Sequence, residues 1–170
     1  MAGDLIEIKL TGLAGVLETL AKLPPEVVSK RGGPVKAALR KGAQVILKAE
    51  KQNLQAVTSN ATDSGKREST GFLLKNLTAS RGKPPTGSKG ERYVVRVRRK
   101  TYVGRSGSEP TTTLKVAQLL EYGSSQQPAE PWIRPAFLAN AQRAIETIER
   151  ETVRAVEAVA AKLGAANKGK

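Results

Sequence analysis

Two carboxylates, Glu121 and Glu130, come nearest in type and spacing to a general acid–base pair. Such a pair works only where burial or a neighbouring charge drives the two pKa values apart. Both lie in a polar stretch of sequence, where nothing separates them. Glu121 pairs more naturally with Arg134, as an ion pair bracing the loop between them. Two glycine-rich segments, Gly87-Ser88-Lys89-Gly90 and Gly104-Arg105-Ser106-Gly107-Ser108, resemble phosphate loops only in glycine content, and both lack the GxxxxGK[ST] frame. The chain has no histidine and no cysteine. It therefore lacks the commonest general base, the commonest metal ligand and every thiolate. No nucleophile elbow is present. The sequence reads as that of a protein that is not an enzyme, with no cofactor, no metal site and no small-molecule substrate.

Charge is the stronger signal. The 170 residues carry 29 Lys+Arg against 15 Asp+Glu, a formal charge of +14. Between Lys66 and Arg105 twelve basic residues meet two acids, Glu68 and Glu91; twelve less two leaves ten, most of the excess. Within that segment Tyr93, Val95 and Val97 alternate with Val94, Arg96 and Arg98, the period of a strand with one apolar and one basic face. Arg96, Arg98 and Lys100 fall on one side by this alternation. They are the residues expected to face DNA, a DNA channel or an acidic neighbour, through phosphate contacts without base reading. The competing reading is a solvated sheet face whose charges guard an exposed edge.

The elements that must position these residues follow from periodicity. Residues 5–10 alternate as a leading strand, and Leu13, Val16, Leu17 and Leu20 give a short helix. Val35, Leu39, Ala43, Ile46, Leu54 and Val57 predict a central helix over 35–57, with Gly42 marking close approach to a neighbour. Residues 71–80 read as a turn or short helix entering a strand, and 114–122 as a short helix or turn. Phe137, Ala141, Ile145, Ile148, Thr152, Val156, Val159 and Leu163 predict a C-terminal helix over 134–163, on the order of 40 Å long. Its alternating charges mark a packing or oligomer helix rather than a DNA-reading arm. Trp132, the sole tryptophan, reads as a core plug between prolines. The expected fold is α+β: a small antiparallel sheet packed against a long central helix and a long C-terminal helix. A single domain over 1–163 carries flexible insertions near 58–69, 81–90 and 104–113, with a basic disordered tail at 164–170. With aromatics at 4%, alanine, valine and leucine must build most of the core. No apolar run approaches a membrane span and the start lacks a signal peptide, so the expectation is a soluble protein made in a cytoplasm, without a membrane partner.

Between residues 119 and 137 stand Glu121-Tyr122-Gly123-Ser124 and, after a polar loop, Pro131-Trp132-Ile133-Arg134-Pro135-Ala136. This pattern resembles the tail-completion proteins of long-tailed phages. These are small head–tail joining proteins typified by the gene-ten product of a lambdoid phage and including the Z protein of lambda. Three further pieces are similar in order: Ile8-Lys9-Leu10-Thr11-Gly12-Leu13 with the helix up to Leu23-Pro24, the helix from Ala38 to Gln55, and Thr70-Gly71-Phe72-Leu73-Leu74-Lys75-Asn76-Leu77. The likeness therefore runs over nearly the whole chain. Trp132 departs from it, standing where phenylalanine is commoner, and so do the long basic connectors at 81–90 and 104–113.

The resemblance implies a virion structural protein of the tail or neck, assembled in the host cytoplasm. It would form a homo-oligomeric ring, commonly a hexamer, with genomic DNA passing through. Its partners would be the head connector and the tail tube or terminator proteins. Glu121, Gly123, Pro131, Trp132, Arg134 and Pro135 would form the loop brace and subunit interface. Two other readings stay open: a tail terminator that stops tail-tube growth, and a freestanding non-specific DNA-binding protein.

Overall fold

The computed structural model describes residues 33–59, 70–84, 86–87, 91–102 and 110–168. The expected leading strand at 5–10 and the short helix after it lie outside these residues, as do 60–69, 85, 88–90 and 104–109 within the expected insertions. Helix α1 spans Gly33–Ser59, α2 Phe72–Asn76, β1 Leu77–Gly82, β2 Arg92–Val97, α3 Thr113–Tyr122 and α4 Ile133–Lys168. The α+β expectation holds: a two-stranded antiparallel sheet packs on the long helices. No helix among the described residues is long and apolar enough to cross a membrane.

Helix α1 lies between the sheet and α4. On one side it runs antiparallel to α4 through small residues. Ala38 and Ala49 are buried, and a Cβ placed on Gly42 would come within 2.5 Å of Ile148 Cγ1 and 3.1 Å of the Ala144 carbonyl. The absence of a side chain there lets the helices approach closely, as the lone glycine in the sequence suggested. Lys41 reaches across to Glu151 at one end of the pair. At the other, Asn53 Nδ2 donates to the Trp132 carbonyl at 3.3 Å. In the last turn of α1 two hydroxyls bond back to the helix: Thr58 Oγ1 donates to the Leu54 carbonyl and Ser59 Oγ to that of Gln55, both at 2.8 Å, each four residues earlier in the chain.

On its other side α1 receives the sheet. Leu77 pairs with Val97, Ala79 with Val95 and Arg81 with Tyr93 on one face, while Thr78–Arg96, Ser80–Val94 and Gly82–Arg92 form the other. Leu54, Leu73, Leu77, Ala117 and Trp132 form the buried cluster, with Val95 and Val97 packed against it. Full burial of a leucine contributes ~1.5–3 kcal/mol, so Leu54, Leu73 and Leu77 anchor the layers. Beyond β2 the chain is pinned by Thr113, fully buried, whose Oγ1 donates to the Arg98 carbonyl at 2.6 Å and accepts from Lys100 N at 2.9 Å.

Several expected boundaries shift. Thr58 and Ser59 belong to α1, and Arg81 and Gly82 to β1, rather than to insertions. Thr112, also placed in an insertion by sequence, bridges to Thr101 and caps α3 through Lys115 N. Helix α4 runs on through Gly164 to Lys168, across most of the expected disordered tail. Phe137, assigned to its core stripe, is half exposed; Ala136 beside it is buried instead.

Candidate functional site: a buried carboxylate joint

Where α3 ends and α4 begins, Glu121 closes the loop between them. Its side chain is 2% exposed. Oε2 accepts from the backbone N–H groups of Trp132 and Ile133, each at 2.8 Å, and Oε1 from Arg134 N at 3.2 Å. The Arg134 guanidinium adds Nε to Oε1 at 2.9 Å and Nη2 to the Glu121 carbonyl at 3.4 Å.

The accounting at the helix start is complete. The first turn of a helix leaves its N–H groups without intrahelical acceptors. Those of residues 132, 133 and 134 go to Glu121, and the next residue, Pro135, has none to place. Glu121 thus caps α4 from another helix, with its negative charge at the positive end of the α4 dipole. Burial works against that charge, but the Ile133 and Trp132 N–H groups and the Arg134 side chain outweigh it and hold the carboxyl below the ordinary range.

The loop fits around this contact. Gly123 takes φ +74, and a Cβ there would meet Ala129 N at 2.7 Å and the Gln127 carbonyl at 2.8 Å. A glycine is required on both counts. Ser124 and Gln127 exchange backbone hydrogen bonds, and Glu130 N donates to the Leu120 carbonyl at 2.8 Å. The Arg134 guanidinium carbon lies 5.3 Å from the centroid of the Tyr122 ring, within cation–π range. Trp132 is 0% exposed, the core plug its sequence position suggested, and its indole Nε1 is buried with no acceptor among the described residues.

The fold therefore brings Glu121, Gly123, Trp132, Arg134 and Pro135 into one joint, with Pro131 exposed at its rim. The polar surroundings read for Glu121 are corrected: it is buried. Its electrostatic neighbour is not Glu130 but Glu50 of α1, 5% exposed, whose pKa burial and then the charge of Glu121 push up to about 7. Sequence reasoning passed over Glu50. The signal was present, since Ile46, Glu50 and Leu54 stand at four-residue intervals and put a carboxyl on the apolar stripe of α1.

The basic residues lie elsewhere. Arg96 is exposed on the sheet opposite Thr78. Arg98 and Lys100 are exposed beyond the end of β2, held by the bond from Arg98 N to the Asn76 carbonyl and by Thr113. Among the described residues no group of three or more His, Cys, Asp or Glu could hold a metal ion. Comparison with protein-family models, with curated proteins and with solved structures finds no match to the chain.

Proposed function

We propose that the chain is a virion structural protein of a long-tailed phage, completing the tail and joining it to the head connector as a homo-oligomeric, six-fold ring around the DNA channel. One observation carries the reading. The two motifs on which the family resemblance rests, Glu121-Tyr122-Gly123-Ser124 and Pro131-Trp132-Ile133-Arg134-Pro135-Ala136, form a single hydrogen-bonded joint. Such a joint aims the 36-residue helix α4, ~54 Å long. At nine residues longer than its partner α1, α4 has length to offer a neighbouring subunit. Arg96, Arg98 and Lys100 would face the channel or an acidic neighbour.

Cryo-electron microscopy of virions tests this. A ring of this chain at the neck, and tails of normal length without heads when the chain is missing, are the expected results. Overlong tails would make it a terminator, and its absence from the particle would overturn the assembly role.

A further inference from the structure

Along the N-terminal half of α1 runs an open groove of about 630 Å³, walled by Lys36, Arg40, Lys41, Gln44 and Tyr93. It lies on the sheet side of the helix, remote from the joint and from Arg98 and Lys100. We propose that this groove binds the sugar–phosphate backbone of single-stranded nucleic acid, with a base stacked on Tyr93. The inference concerns the isolated chain and stands apart from the assembly reading.

Lys36, Arg40 and Gln44 recur every four residues, so their hydrogen-bond donors rise along one stripe at intervals of about 6 Å. A row of donors suits a linear polyanion better than a single phosphate, which a compact cluster would hold. Among the described residues, Lys41 alone of the three cations pairs with a carboxylate, that of Glu151. Lys36 and Arg40 meet no carboxylate among the described residues. Tyr93, half-buried on the helix-facing side of β2, supplies an aromatic wall beside the row. Cationic track plus aromatic platform is how proteins hold single strands without reading sequence. An acidic peptide would use the cations but leave the ring idle.

The test is fluorescence anisotropy on the full chain with a labelled 12-nucleotide thymidine strand, a 12-base-pair duplex and polyglutamate. Removing two phosphate contacts with K36Q/R40Q should weaken single-strand binding at least tenfold at 0.1 M salt. It should also flatten the log–log salt slope by about 1.4. Y93L, which keeps bulk but not stacking, should weaken the single strand about tenfold and leave the duplex unchanged. E151Q frees Lys41 and should tighten binding and steepen the slope by about 0.7, a gain that no folding defect can imitate. Wild-type affinity in K36Q/R40Q, no gain in E151Q, or polyglutamate bound more tightly than the single strand would each overturn the proposal. So would binding that R96Q/R98Q abolishes while K36Q/R40Q does not.

Discussion

Glu50 makes the stability of this protein fall as pH rises from about 4.5 to about 7. The unfolded chain releases the proton near the ordinary value of 4.5, whereas the folded chain keeps it to about 7, because α1 buries the carboxyl and Glu121 lies nearby already ionised. Below pH 4.5 both states hold the proton and Glu50 exerts no pull. Between 4.5 and 7 the unfolded state ionises and the folded state does not, so the balance tips toward unfolding; above 7 both are ionised and the loss is complete. At 1.36 kcal/mol per pH unit the loss comes to about 3 kcal/mol. The chain has no histidine, so no other side chain of ordinary pKa titrates between pH 5 and 8. Urea denaturation followed by the fluorescence of Trp132, unique and fully buried, should show wild type losing about 3 kcal/mol from pH 5 to pH 8. Glu50→Gln, which cannot ionise, should be nearly flat across the range and the more stable protein at pH 8. Parallel curves for the two proteins, or a Glu50→Gln variant less stable than wild type at pH 8, would refute the reasoning.

Glu121→Ala strands three backbone N–H groups at the start of α4 and should cost about 3–5 kcal/mol in denaturant titrations. Arg134→Ala should cost only about 0.5–1 kcal/mol, since the Arg134 side chain is 58% exposed and the backbone donors remain; equal losses would mean that the ion pair, not the cap, holds the joint. Gly123→Ala must accept both a positive φ and a backbone clash, and should lose about 2 kcal/mol or more, read as a lower urea midpoint. Trp132→Phe removes a buried indole N–H that lacks an acceptor among the described residues. Its thermal stability should stay within about 1 kcal/mol of wild type, against a loss of about 3–5 kcal/mol for Trp132→Ala; a large loss on Trp132→Phe would show that the N–H is bonded after all.

The elements legible in sequence are those whose residues repeat. The alternation of β2, the close approach at Gly42 and the middle of the α4 stripe, where Ala141, Ile145 and Thr152 are buried, appear where the sequence pattern puts them. The Glu121–Arg134 brace was legible because opposite charges bracketed a short proline-rich loop. What stayed hidden depends on where backbone donors point. No spacing rule announces that Glu121 accepts from three consecutive N–H groups, because that requires α3 to end against the first turn of α4. Nor does periodicity show that Phe137 turns outward while Ala136 is buried. The packing of α4 on α1 through small side chains decides which of the two neighbours faces the helix.

The opposite displacements of the two buried carboxyls follow from one arrangement. Glu121 is surrounded by donors and must be an anion; protonating it would leave backbone N–H groups without a charged acceptor at a helix start. Once Glu121 is charged, a second charge in the same interior is disfavoured, and Glu50, with burial as its larger burden, keeps its proton instead. The joint is therefore rigid for a reason that packing alone does not supply. Tilting α4 away from α3 would break the bonds from Trp132, Ile133 and Arg134 to one carboxylate together and free none of them to water singly. A helix start held by a shared acceptor moves as a unit or not at all. In an assembly protein, that property would fix the direction of α4 before any partner arrives, so that docking need not bear the cost of ordering it.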